Sequence, residues 1–532
     1  MNPLNHNEKI LLKIFQDILD DESISLTDSF FELGGDSLSM LQCIARANQA
    51  GLDISYETFL INPTISYLAN LFSQRTLEKD DNGSEKNIPL IPLQKRFFLK
   101  PKHWSEVKLI PRSAQLDKSI NLDAFKESCK KLFSYHDALN LKFYCDNNEW
   151  CQQTTKPDEN FYFDVLDLKN EPDDRKNLML NSYIEKQISQ FDLKSGYLVK
   201  FLLINVDDKE PYHFIIASHH LCMDGNSHQI LLQDIFDVYK NSINKNYDFK
   251  LYQTTSFEQW AYFLSRYANL NEVKKDLAYW RKIENVELNA IPIDYSNTGQ
   301  ANLACDIVEY EGDVSLALSK LICKDILKSF KQVSVLDVLL SSLLFVLNDY
   351  TNSNHQLVDI RRHGRDFINN DIDLTKTVGW LTAVHPVLLH ANEKSSIKDT
   401  VNEVHRHLAE IPKNGLSYGL LRYSTDDDSI KAIMENLPQA QIAFNYHGVI
   451  DSIFSGNDLF SFSKKSTGNN LGSNATRSHL LNIDMMVCNQ KIHVIWTYSK
   501  KFHKQSTISA LHNHYVEMLE KVAHSLLSNS LD

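Results

Sequence analysis

A chain of 532 residues with 43% hydrophobic content has room for three or four compact units and the composition of an ordinary globular protein. Its net charge of -13, with only short basic pairs such as Arg361-Arg362 and Lys500-Lys501, argues against a nucleic-acid surface, which needs clustered Lys and Arg. The eight cysteines are scattered without metal-ligand spacing, the start MNPLNHNEK has no signal-peptide character, and the longest apolar run, Val335 to Leu347, is too short to span a bilayer. A cytoplasmic protein with free thiols, no membrane segment and no metal site is therefore expected, with Val335 to Leu347 as a buried helix.

Residues 1–76 read as a small helical bundle. Ile10, Leu11, Ile14, Phe15 and Ile18 repeat at helical spacing, as do Leu38, Leu41, Ile44 and Ala45 before Gly51. A third apolar stretch, Ile65, Leu68 and Leu71, follows Pro63, so three short helices are expected. Between the first two lies Phe30-Phe31-Glu32-Leu33-Gly34-Gly35-Asp36-Ser37-Leu38. A serine hydroxyl on a glycine turn at a helix start is well placed for attachment of a prosthetic arm. FFELGGDSL resembles the phosphopantetheine site of a peptidyl carrier domain from a nonribosomal peptide synthetase. The resemblance implies 4'-phosphopantetheine, covalent on Ser37, whose thiol holds an amino acid or peptide as a thioester. Asp36 before the serine resembles carriers that precede epimerization domains.

Leu77 to Asn87, LEKDDNGSEKN, is charged and contains a Gly-Ser pair, which reads as a linker. As a flexible segment it would have an r.m.s. span of roughly 18 Å, enough to keep a carried substrate concentrated at a neighbouring site.

From Ile88 onward strand-like runs alternate with helical ones. His213 to Ser218, HFIIAS, reads as a strand, and Leu231, Ile235 and Val238 mark a helix. Between them stands His219-His220-Leu221-Cys222-Met223-Asp224-Gly225. A strand end followed by a turn into a helix holds an imidazole firmly, which suits proton transfer near neutral pH. As a metal site the pair is weak, because adjacent residues of a strand point to opposite faces. Taken alone, a His-His pair is more often structural, and Tyr446 more often a packing residue.

HHLCMDG resembles the HHxxxDG signature of the condensation superfamily. Further segments are similar to its epimerization branch: YHDAL at 135–139, DGNSHQILL at 224–232, HGR at 363–365, TVGW at 377–380, IPKNGLSYG at 411–419 and FNY at 444–446. This resemblance implies an α+β fold in which the carrier bundle is followed by two chloramphenicol-acetyltransferase-like α/β lobes in a V shape. It places an N-lobe at 88–268 and a C-lobe at 269–532. It also implies that His220 is a proton-transfer group, that Asp224 orients the loop by charge pairing, and that Tyr446 is the active-site tyrosine, with His219 beside them.

Inversion at the α-carbon of a thioester asks for a proton-transfer group on each face. The family usually supplies a glutamate in an EGHGR motif, but here Asp359 to Arg365 reads DIRRHGR, with Arg361 at the glutamate position. A guanidinium stays protonated and cannot act as a base, though it can bind an enolate oxygen or a carboxylate. Asp359 would share a strand face with Arg361 and is a possible replacement acid. Asn140 replaces the arginine of HDALR, and Ser105-Glu106 replaces a common Asn-Gln pair. Three readings stay open: an epimerase, an epimerization-derived enzyme with changed chemistry such as acyl transfer, and a catalytically silent docking module. The expected partners are a separate adenylation enzyme, a phosphopantetheinyl transferase, and a downstream condensation or release enzyme.

Overall fold

The computed structural model describes residues 5–52, 54–69, 87–99, 112–246, 249–252, 254–296, 299, 301–330, 332–366, 368, 372–391, 395–450, 460–462 and 476–528. Leu71, all of the expected linker except Asn87, and the Ser105-Glu106 pair lie outside the described residues.

The first unit contains α1 (His6–Leu19), α2 (Ser37–Gln49), α3 (Tyr56–Ile61) and α4 (Ile65–Leu68). Asn5 and Glu8 satisfy each other's backbone N–H groups at the start of α1, a reciprocal cap that fixes where the helix begins. Leu11, Ile14, Phe15 and Ile18, the residues with helical spacing, form the buried face. Phe30 packs edge-on against Phe15 and Phe59, with ring centroids 4.9 and 5.1 Å away. The bundle has four described helices rather than the expected three. The extra one, α3, is six residues long, too short to show a period, and starts because Ser55 accepts the Thr58 N–H.

The rest of the described chain builds two sheets and a hairpin. The first sheet contains β1 (Arg112–Leu116), β4 (Phe163–Asp167), β5 (Val199–Asn205), β6 (Tyr212–Ser218) and β11 (Phe460–Phe462), in the order β11-β1-β6-β5-β4. The hairpin is β2 (Leu141–Asp146) with β3 (Glu149–Thr154). The second sheet contains β7 (Ile307–Asp313), β8 (His355–Arg362), β9 (Ala383–His390), β10 (Ile442–Val449), β12 (Leu481–Cys488) and β13 (Lys491–Ser499), in the order β7-β13-β12-β10-β8-β9.

All seven residues of β5 are buried, because both faces of the first sheet are covered. Phe201, Leu203, Phe214 and Ile216 face the main core; Leu202, Ile204, Ile215 and Ala217 face Ile184 of the helix Asp173–Ser189. Val335 to Leu347 falls in the helix Val335–Thr351, which packs on the helix Gln505–Leu527, where the Tyr515 hydroxyl donates to Leu339 O at 3.0 Å. No helix among the described residues is long and apolar enough to cross a membrane. One connection was not legible in the chain order: β11, from the later half, pairs antiparallel with β1 of the first sheet.

Asn140, the departure from HDALR, is buried and donates to Phe133 O at 2.7 Å and His136 O at 3.3 Å, closing a helix end. Asp137 beside it accepts the Phe257 and Glu258 N–H groups of another helix start.

Phe30→Ala is expected to destabilise the first unit by about 3–5 kcal/mol, the usual loss for emptying a buried phenylalanine site. In chemical denaturation of the whole chain, the transition of the bundle should move to lower denaturant while that of the sheets stays in place.

Candidate active site and carrier dock

The loop after β6 sends its two histidines to different places. His219 is 1% exposed, its Nδ1 accepts the Leu221 N–H at 3.2 Å, and its ring meets Phe97 edge-on at 5.9 Å. His220 keeps some accessible surface. Its Nδ1 lies 3.1 Å from Met223 O; a carbonyl only accepts, so Nδ1 carries the proton and Nε2 the lone pair. The Trp380 ring lies beside it, with centroids 5.2 Å apart. Burial, reinforced by the Arg361 charge, pushes the His220 imidazole down to about 4. At neutral pH it is an uncharged base held in one orientation.

Asp224 is part of the scaffold. It caps the helix Gly225–Ile243 by accepting the Ser227 N–H at 2.8 Å, and accepts both terminal nitrogens of Arg365, at 3.0 and 3.1 Å. The Leu381 N–H adds a donor at 2.9 Å. Burial alone would raise this carboxyl, but Arg365 and the Ser227 donors outweigh it and hold it below the usual range. Arg365 also donates to Thr377 O and His363 O, while Gly379 O accepts the Asp224 N–H and the Ser227 hydroxyl. Thus HHLCMDG, HGR and TVGW meet in one buried network.

Arg361 lies on β8 opposite Val384. Among the described residues none is within hydrogen-bond or ion-pair distance of its guanidinium, although its charge acts on His220, Asp484, His479 and Arg477. Asp359 is already engaged: His479 Nε2 lies 2.8 Å from its carboxylate. Burial raises the Asp359 carboxyl, and His479 more than reverses this, so it stays ionised; burial also lowers His479, so the contact at neutral pH is a hydrogen bond from a neutral imidazole to the carboxylate. Asp484 on β12 accepts from Asn445 at 3.1 Å and pairs with His447 at 3.2 Å. Burial opposes its ionisation, but His447 and Arg361 hold it far below the usual range. Together with burial, Arg361 pushes Arg477 down to about 10.

Sequence reasoning missed Asp484, His447, His479 and Arg477. His447 directly follows FNY and was the legible one; the others come together only through strand pairing.

Tyr446 faces the first unit. Its hydroxyl is pushed well above 10 by burial, then by Cys323 and Asp36, so it stays protonated. Gly34, at φ +99, passes so close that a Cβ there would meet Cys323 O at 2.8 Å. Two residues later the Asp36 carboxylate approaches Gly448, where a Cβ would meet it at 2.2 Å. Gln42 donates to Gln229 at 3.4 Å, Asn48 to the Tyr252 hydroxyl at 3.2 Å, and Tyr56 to Asp366 at 3.3 Å. The bundle is therefore seated on the lobes with the start of α2 against β10. Asp36 and Ser39 cap that start reciprocally, with Asp36 accepting the Ser39 N–H at 2.8 Å and donating its own N–H to Ser39 Oγ at 2.7 Å. Ser37 is the first residue of α2, at the positive end of a 13-residue helix dipole, a position that suits an attached phosphodiester.

Fold and site together define a didomain in which a carrier-type bundle is seated on a two-lobed, enzyme-type domain. A condensation-domain profile matches residues 84–530 and a phosphopantetheine attachment site profile matches residues 9–72, so the chain belongs to the condensation-domain family and carries covalent phosphopantetheine on its first unit. It is 31% identical over 99% of its length to a linear gramicidin synthase of Brevibacillus parabrevis. It is 28% identical over 98% of its length to bacitracin synthase 2 of Bacillus licheniformis. It spans only 10% and 20% of those proteins. Among solved structures, the epimerization domain from the third module of tyrocidine synthetase B aligns over 85% of this chain and 100% of that one, with a TM-score of 0.76 and 24% identity. The X-domain from teicoplanin biosynthesis aligns over 84% and 96%, with a TM-score of 0.63 and 12% identity. Both structural likenesses concern the fold, that of chloramphenicol-acetyltransferase-like lobes.

Gly448 sits at φ +69 with the Asp36 carboxylate 2.2 Å from where a Cβ would stand, so Gly448→Ala adds both a clash and backbone strain. The expected loss of docking free energy is about 1–3 kcal/mol. Amide hydrogen exchange should accelerate in residues 34–42 and at the end of β10 while the core of both sheets stays protected.

Proposed function

We propose that the chain works in nonribosomal peptide synthesis, carrying an aminoacyl or peptidyl thioester on phosphopantetheine at Ser37 and presenting it to the lobes for inversion at Cα. The observation that supports this reading is the seated carrier: its Gly34-Gly35-Asp36 turn lies against Cys323, Gly448 and Tyr446, and Gln42 reaches Gln229 on the helix that follows the His220 loop. The prosthetic arm supplies a thioester, which acidifies the neighbouring Cα–H, and the reach to enter the cleft. His220 Nε2 takes the proton on one face, with Nδ1 held by Met223 O throughout. Arg361 donates to the carbonyl oxygen as negative charge develops there. Tyr446 is the protonated group that returns a proton to the other face. His219 and Asp224 position the loop.

A second reading draws on Arg361, whose guanidinium has no described partner. In that case the domain is epimerization-derived with changed chemistry: Arg361 binds an anionic group of the tethered substrate and His220 acts as base for acyl transfer or another modification. A silent docking module is the weaker account, because the lone pair of an oriented, uncharged imidazole has no structural use. In either catalytic reading an adenylation activity loads the thiol in the cytoplasm, a phosphopantetheinyl transferase installs the arm, and a condensation or release activity takes the product.

The test is to load the holo protein with candidate aminoacyl groups in deuterated water and follow Cα exchange and product mass. Exchange with inversion is expected for epimerization; a new covalent product without exchange identifies the second reading. His220→Ala should lower either activity by about 10²–10⁴-fold, the usual contribution of a positioned acid–base group, and an unchanged rate would remove His220 from the mechanism.

Arg361→Glu separates the readings further. Removing the cation lifts the His220 imidazole from about 4 toward its ordinary value. The acidic limb of the pH–rate profile, which follows loss of the neutral base as pH falls, should then move up. Cα exchange should rise in the epimerase reading and the covalent product should be lost in the other.

A further inference from the structure

Away from the cleft, β9 and the helix Ile397–Ala409 bring together His390, Glu403 and His407, whose potential ligand atoms all lie within 4.8 Å of one another. Glu403 and His407 are four residues apart on one helix face, and His390 is the last residue of the edge strand. Glu403 Oε1 is the hub, 2.9 Å from His390 Nε2 and 4.0 Å from His407 Nε2. The two imidazole rings have centroids 4.6 Å apart, and His355, opposite His390 on β8, stacks on it at 5.8 Å. All three potential ligands are half-buried, and His407 Nδ1 is fully buried with no hydrogen-bond partner among the described residues.

We infer that His390, Glu403 and His407 form a binding site for a divalent transition-metal ion of the zinc type. Two imidazoles and one carboxylate are the donor set zinc takes with an open fourth position, while calcium and magnesium need mostly oxygen. Tetrahedral bonds of about 2.1 Å put neighbouring ligand atoms about 3.4 Å apart, so only a small closure of His407 toward Glu403 is required. Arg406 Nη2 lies 3.4 Å from His407 Nε2, and a guanidinium only donates, so this ring nitrogen carries the lone pair that a metal would take. The competing cation is Arg406, 3.5 Å from Glu403. It is 58% exposed and already reaches Glu410 at 3.1 Å, which gives it a place to go.

Position gives the site its consequence. The helix Ile397–Ala409 runs directly into 411–419, where Gly415, Leu416 and Gly419 line a pocket with Trp380, the neighbour of His220. A metal clasp between helix and edge strand braces that wall without touching the reacting groups. The spacing of the cysteines gave no sign of it, because its ligands are histidines and a glutamate joined by tertiary packing.

The experiment uses the full chain, without a histidine tag and stripped by chelator, titrated with zinc chloride by calorimetry and with cobalt(II) by visible absorption. One equivalent of zinc at micromolar affinity or tighter, a tetrahedral cobalt spectrum displaced by zinc, and slower amide exchange in 411–419 are expected. His390→Ala, His407→Ala and Glu403→Gln should each weaken binding at least tenfold with unchanged circular dichroism; His524→Ala, at an exposed site, should not. Absence of binding, binding only at millimolar zinc, or affinities unmoved in the three folded variants would overturn the assignment. Glu403→Gln keeps shape while removing charge, so it remains informative where an alanine variant fails to fold.

Discussion

The site depends on one buried ion pair. Asp224 and Arg365 are each 2% exposed and joined by two nitrogen–oxygen contacts, with further partners supplied by Ser227, Thr377, His363 and Leu381. A buried pair is stabilising only when its other donors and acceptors are satisfied in this way, and removing one partner typically costs about 3–5 kcal/mol. The pair also fixes geometry, because Asp224 ends the histidine loop and starts a helix while Arg365 leaves β8 four residues after Arg361. Position of His220 relative to Arg361 thus follows from a clamp made by neither of them.

Arg361 changes the electrostatic character of the cleft that this clamp holds. At this strand position the chain places a cation: burial and then its charge lower His220 and Arg477, and His447 and then Arg361 hold Asp484 ionised against burial. The nearby carboxylates are already engaged, Asp359 by His479 and Asp484 by His447 and Asn445. The cleft therefore offers an oriented neutral base, an available guanidinium and a protonated phenol at the carrier side. Such a set can donate hydrogen bonds to negative charge and accept a proton. The cation that could meet negative charge also, after burial, lowers the basicity of His220.

Much of this was legible because the chemistry is carried by contiguous motifs. The serine on its glycine turn, the histidine pair, HGR and TVGW could each be read locally, but both histidines lie past the end of β6, so the loop and not strand alternation separates them. Other features were hidden for definite reasons. The helix Tyr56–Ile61 is too short to show a period. Strand β11 enters the first sheet by a long-range pairing that no local pattern encodes. Asp359 looked like an open acid on the same face as Arg361, and only the fold reveals His479 bonded to it, 120 residues away along the chain.

From residues alone came the family, the carrier unit and the fold class, because composition and adjacent spacing are properties of the unfolded chain as much as of the folded one. Tertiary structure decided what each residue can do: that Asp224 is a clamp, that Gly448 must lack a side chain to admit Asp36, that Arg361 acts on His220 without a described partner of its own, and that His390 meets His407. Charge, burial and hydrogen bonding act through space, over a few ångströms. Groups that share a field are brought to that distance only when sheets pair and helices pack.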